Sequence, residues 1–335
     1  MTSLNLAETS VEKSEKSTLL SSLASLRAWA FLVLMLVVFE AWAHIGYNTT
    51  FLFNPFNLQS IAVFAIAPLM LALGQTIVII SGGIDLSVGF TMGFAASVFA
   101  QCLNLTGPGL GGIGSFAMAT LVTIVASLLP GLVNGVLIAK LRIPPFIGTL
   151  GMYGVARGVA YLLANGTTVP ISNPVASVMG SANIFGFPIV VLITAAITVI
   201  MQWSLTQTRF GQHTYAIGGN RQAAARAGIN VPRNTVALYA LSALVAGIGG
   251  ILYTTRFSAG APQAGEPLLL DSIAAVVIGG ASLFGGSGTI MGTVIGALII
   301  AVIQYGLVFV DVEPFWQFIA VGVIIVISVN ARSWH

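Results

Sequence analysis

Charge is scarce in this chain. Its twelve Lys and Arg and nine Asp and Glu amount to 6% of 335 residues, against roughly a quarter in an ordinary soluble domain. Hydrophobic residues make up 57%. The balance of +3 is a small difference between two small numbers, so no basic footprint for nucleic acid follows from it. Cysteine is nearly absent as well: Cys102 stands alone and excludes an intramolecular disulfide. The three histidines, His44, His213 and His335, are scattered without the one-turn spacing of a metal pair, so neither a metal nor a cofactor is expected. None of Lys13, Lys16 or Lys140 follows a glycine, so the phosphate-cradling Gly-Lys-Ser/Thr turn is missing. A Gly-x-Ser-x-Gly nucleophile turn is missing too.

What the chain has is apolar length. Runs occur at about 28–46, 58–80, 86–104, 116–139, 146–164, 187–205, 235–255, 267–284, 289–309 and 315–330. A membrane crossing needs about 20 apolar residues. None of the runs alternates as a barrel strand would. The expectation is an all-α polytopic membrane protein with about ten transmembrane helices. Residues 1–27 are polar, carry charges of both signs and read as a cytoplasmic tail rather than a signal peptide. Residues 28–335 form the membrane domain.

Basic residues orient the spans, because cytoplasmic loops accumulate Lys and Arg. With the amino terminus inside, Lys13, Lys16, Arg27, Lys140, Arg142, Arg209, Arg221, Arg226, Arg233 and Arg332 all fall on the cytoplasmic side. Arg256 falls outside and Arg157 within a span. Both termini are therefore expected in the cytoplasm.

Two apolar stretches are interrupted alike, at Ser81-Gly82-Gly83-Ile84-Asp85-Leu86-Ser87-Val88-Gly89 and at Gly279-Gly280-Ala281-Ser282-Leu283. Met-Gly follows in each, at Met92-Gly93 and Met291-Gly292. Paired glycine interruptions point to the broken helices of a transporter, and glycines also serve simply to let helices pack closely. Asp85 suits the amino-terminal end of the following helix as a cap, with a part in gating as the other reading.

The string from Gly74-Gln75-Thr76 through Gly89 resembles the signature of the membrane permeases of ribose-type ABC importers. The resemblance continues through Pro145-Phe146-Ile147-Gly148-Thr149-Leu150-Gly151, Arg157-Gly158, Ala216-Ile217-Gly218-Gly219-Asn220, Ala223 to Ile229 and Val277 to Gly286. It spans nearly everything beyond the tail. It implies a multi-pass permease of the bacterial inner membrane that dimerises with a second permease copy. Such a permease receives sugar from a periplasmic binding protein and is driven by cytoplasmic ATP-binding subunits.

The longest inner loop, 206–233, holds a short helical pattern. Asn220 is a good cap, Arg221 to Ala227 are mostly strong helix formers and Gly228 suits the left-handed residue that ends a helix. About two turns result, with a narrow surface at Ala223, Ala224, Ala225 and Ala227. The resemblance makes this the coupling helix that docks on the ATPase, with Gly218 and Gly219 leading into it.

The remaining candidates come from composition. A sugar offers hydroxyls and apolar faces, so uncharged polar and aromatic groups suit its path: Gln75, Asn134, Thr149, Tyr153, Gln304 and Tyr305. Arg157 reads equally as a substrate contact or a structural partner, since a charge within a span needs protein or water beside it. Import of a monosaccharide or polyol is the leading function. The alternative is an ion-coupled secondary transporter using Glu40, Asp85 or Asp271.

Overall fold

The computed structural model describes residues 27–313, 315–319 and 322–323. Among these, eight helices are long and apolar enough to cross a membrane. They begin with α1 (Arg27–Tyr47) and α2 (Pro55–Ile80). The stretch α3 (Val88–Ala139), kinked at Gly111, supplies two, with limbs Val88–Gly107 and Gly109–Ala139. Then come α4 (Pro145–Leu163), α6 (Ile189–Gln207), α9 (Val231–Phe257) and α11 (Ile290–Phe309). Between them lie the short helices α5 (Pro174–Ser181), α7 (Arg209–Gly219), α8 (Arg221–Arg226) and α10 (Leu268–Ile278).

The helix starts are made by neutral residues. Asn54 accepts the Phe56 amide, Asn173 those of Val175 and Ala176, Asn230 that of Arg233 and Thr289 that of Gly292. A neutral cap satisfies the free amides of a first turn without placing a charge near hydrocarbon. Within the spans, Thr76, Thr123, Thr194 and Thr254 donate their hydroxyls back to carbonyls four residues earlier. That removes donors which lipid could not satisfy.

Among the described residues, strands are confined to two-residue pairs. β1 (Val169–Pro170) runs antiparallel to β4 (Ala259–Gly260), and β2 (Asn183–Ile184) to β3 (Phe187–Pro188). The second pair turns at Phe185-Gly186, where both residues have positive φ, the geometry of a tight hairpin.

At the centre, α9 packs against both α3 and α2, and α2 in turn packs against α10 and α11. The second half of α2, from Leu69 to Ile80, is buried throughout. Such a helix has no polar face to show, as expected for one ringed by other helices.

Three expectations change. The run at 267–284 is not a full crossing: α10 has 11 residues, about 16 Å at the usual rise, because the chain leaves helical geometry at Gly279-Gly280. The loop expected at 105–115 is mostly helical, bending where Gly111 takes φ 68°. The loop expected at 165–186 contains α5 and β1. The run at 315–330 lies largely outside the described residues, as does the tail before Arg27.

Candidate functional site

Both predicted interruptions are real breaks. The first lies between Ile80 and Val88. Gly82, at φ 82°, takes the left-handed turn that ends α2. Asp85 follows, 1% exposed. Burying a carboxylate is tolerated only when its oxygens are met. Oδ1 accepts the Ser87 amide at 3.0 Å and the Ser87 hydroxyl at 2.6 Å, and Oδ2 accepts the Ser242 hydroxyl of α9 at 3.1 Å. Asp85 is thus not the cap of α3: Ser87 occupies the capping position, and Asp85 holds Ser87.

The side chains around the break hold its backbone. Gln75 Nε2 donates to the Asp85 carbonyl at 2.5 Å, and Gln75 Oε1 accepts the Asp85 amide at 3.3 Å, so one side chain replaces two backbone partners. Thr149 of α4 donates to the Ile84 carbonyl at 3.1 Å. Asn134 donates to the Ser87 hydroxyl at 2.9 Å. Gln75, Asn134 and Thr149, expected along a substrate path, are fully buried here and engaged with the break. Gln304 is engaged elsewhere, donating to Asp271 at 2.7 Å, and Tyr305 donates to Asn57 at 2.7 Å. Tyr153, like Gln304, is half-buried, and its hydroxyl lies 3.4 Å from Glu266 Oε1. Gly83 sits beneath the Tyr239 hydroxyl, where a Cβ would come within 2.5 Å of it. Gly89 opens α3 against the backbone of Gly265.

The second break, between Ile278 and Ile290, is a glycine turn. Gly279 and Gly280 leave α10, and Gly279 packs backbone to backbone on Gly292 of α11. The Ser282 amide donates to the Ser287 carbonyl at 3.0 Å, closing a loop whose tip, Phe284, is 96% exposed.

The two breaks touch each other. The Gly286 amide donates to the Ile80 carbonyl, the last residue of α2, at 2.8 Å. Gly218, near the end of α7, lies at the same point: a Cβ there would overlap the Ile80 carbonyl and crowd the Gly286 amide. Tyr215, one turn earlier on α7, donates its hydroxyl to the Gly288 carbonyl at 2.7 Å. Burial pushes that phenol above its ordinary range, which keeps the donor protonated. Three segments distant in sequence therefore meet backbone to backbone. Glycine is the residue that permits the approach.

From this junction the chain passes through Gly219 to α8. Asn220 accepts the Ala223 amide at 2.9 Å as the expected cap, and Gly228, at φ 85°, follows the helix end. The helix has six residues, close to the two turns expected. Ala223 and Ala225 are exposed, whereas Ala224 turns inward onto Ile217 and Val231 and belongs to no outer surface. Beside α8 opens a cleft of about 660 Å³ whose walls include Arg142, Pro144, Arg221, Gln222 and Ala225.

Sequence reasoning missed Ser242, Tyr215 and Glu266, single residues with no motif around them. Among the described residues, no three of His, Cys, Asp and Glu gather as metal ligands.

Comparison with known proteins adds the family. Residues 57–329 match the family described as branched-chain amino acid transport system / permease component. The ribose import permease protein of Escherichia coli K12 is 36% identical over 312 residues, 90% of this chain and 94% of that protein. The galactose/methyl galactoside import permease protein of Haemophilus influenzae is 35% identical over 305 residues, covering 86% and 89%. The fructose import permease protein of Rhizobium meliloti is 33% identical over 290 residues, covering 83% and 76%. No solved structure matches the chain. These likenesses favour the ABC permease over the ion-coupled alternative. With its glycine-broken helices, its span-length helices and a match over most of its length, the chain belongs to this permease-component family, as a multi-pass subunit of an ABC importer in the bacterial inner membrane.

Proposed function

We propose that the protein carries a monosaccharide or related polyol into the cytoplasm, driven by a separate ATP-binding subunit. The observation that carries this reading is the unbroken contact from exposed α8, through Gly218, to the Ile80 carbonyl and Gly286 amide where both breaks meet. A movement imposed on α8 from outside the membrane reaches the broken helices without crossing flexible chain. The sugar class rests on the relatives, whose names specify ribose, galactose and fructose.

In this reading both termini and the 206–233 loop are cytoplasmic, and the ATPase docks on the outer side of α8 at Ala223 and Ala225. A periplasmic sugar-binding protein delivers solute at the opposite face, and a second copy of the permease completes the channel. Gly218, Gly219, Asn220 and Gly228 fix where α8 sits. Ala224 anchors it from inside.

Copurification tests this. The isolated chain should hydrolyse no ATP, and sugar-stimulated hydrolysis should require the ATPase and binding protein together. Ala223→Glu places a charge on the exposed side, where burial against a partner is strongly unfavourable; complex yield and uptake should fall together. Hydrolysis by the isolated chain, or an intact, active complex in both Ala223→Glu and Ala225→Glu, would overturn the reading.

A further inference from the structure

One charged surface inside the span region is used by nothing described so far. Arg157 of α4 is exposed, its guanidinium carbon 5.3 Å from the centre of the Phe90 ring and 6.0 Å from that of Tyr161. Among the described residues it forms no ion pair. One turn earlier, Tyr153 stands edge-on to Phe90 at 4.7 Å and meets Glu266, which approaches from the segment before α10. A cation, an anion and two tyrosines thus share one side of an apolar helix. Hydrocarbon penalises both charges, so this side suits water better than lipid. The same side carries Gly154 and Gly158, and nothing lies within 4 Å of where their side chains would begin. The surface is therefore open as well as polar.

We propose that this side of α4 lines the aqueous route of the solute, with a second copy of the chain closing it opposite. The inference rests on the import reading and names the residues that meet the sugar. Arg157 supplies charge-assisted donors to ring hydroxyls and Glu266 accepts from them. The Tyr153 and Tyr161 rings offer flat apolar faces to the C–H side of a pyranose or furanose. Neither charge selects among sugars strongly, since every candidate presents hydroxyls.

The test separates the wet route from the transport reading. In a chain carrying Cys102→Ser, Gly154→Cys places a thiol at the middle of α4, and Val199→Cys places one on α6, at a residue 67% exposed on an apolar span. Only a thiolate in water reacts with a small water-soluble methanethiosulfonate, so in membrane vesicles the residue-154 thiol should react about tenfold faster or more than that at 199. Equally slow reaction at both would place this side of α4 in lipid and overturn the inference, whatever the chain transports. A second arm uses Arg157→Leu, which lipid would welcome. Uptake of ribose, galactose or fructose, whichever the intact importer takes, should fall about tenfold or more at normal membrane insertion. Unchanged uptake in that variant would also overturn it. If residue 154 reacts rapidly while no sugar is imported, the wet route stands and the sugar assignment falls.

Discussion

The two breaks share a Gly-Gly pair and little else. The first turns at an exposed Gly82 and then runs inward, and around the buried Asp85 and Ser87 it is held by side chains from four helices: Gln75 of α2, Asn134 of α3 by way of Ser87, Thr149 of α4 and Ser242 of α9 by way of Asp85. The second reaches an exposed tip at Phe284 and closes mainly on its own backbone, through the Ser282–Ser287 turn and the Gly286 bond to Ile80. A break within packed protein needs dedicated partners, because an unmet peptide group there costs several kcal/mol. A break that reaches the surface needs only glycines that can turn. The same dipeptide therefore marks a joint held by neighbouring side chains in one half of the molecule and a loop closed largely on its own backbone in the other.

That contrast can be broken experimentally, beginning where the two meet. Gly218→Ala should cause the largest loss, since even a methyl group overlaps the Ile80 carbonyl and moves both breaks at once. Overpacking of this kind costs about 1–3 kcal/mol, and the backbone has no flexible side chain to yield. The melting temperature in detergent should drop and uptake should vanish. A variant that melts normally would mean that the junction gives way easily.

Asp85→Asn comes next. Asparagine keeps one acceptor and replaces the other with a donor, opposing hydroxyls that now donate to the carboxylate. The loss is about 1–3 kcal/mol, with uptake reduced by more than the melting shift explains. Wild-type uptake at wild-type stability would make Asp85 a structural strut alone.

The smallest effect is expected at Ser282→Ala, where only the Phe284 amide loses an acceptor, at an exposed turn that water can serve. Stability should stay within about 0.5 kcal/mol of the parent. A loss equal to that of Asp85→Asn would erase the distinction between the two breaks.

Much of this was legible in the sequence, for physical reasons. Apolar length shows itself in one dimension, so eight of the ten runs lie where span-length helices stand. Glycine pairs mark where helices stop, so both breaks were located, although the half-length of α10 follows from where Gly279 falls rather than from hydropathy. What could not be read were contacts across long separations. Nothing near Gly218 in sequence points to Ile80, and nothing around Tyr153 points to Glu266. The inward turn of Ala224 escaped for the opposite reason: in a run of identical residues no pattern says which one faces the protein.

Asn220 closes α7 with its backbone amide, which donates to the Ala216 carbonyl, and opens α8 with its side chain. One residue is the whole joint between the two helices, so there is no slack in which a displacement could be absorbed. In the proposed reading a tilt of α8 becomes a torque on α7, and Gly218 sits on that lever close to its fulcrum. The linkage must also run backward with equal strength. Any rearrangement that a solute imposes on the breaks shifts α8 by the same coupling free energy with which a force on α8 rearranges the breaks. An empty binding route and an occupied one should therefore present different α8 surfaces to whatever grips them.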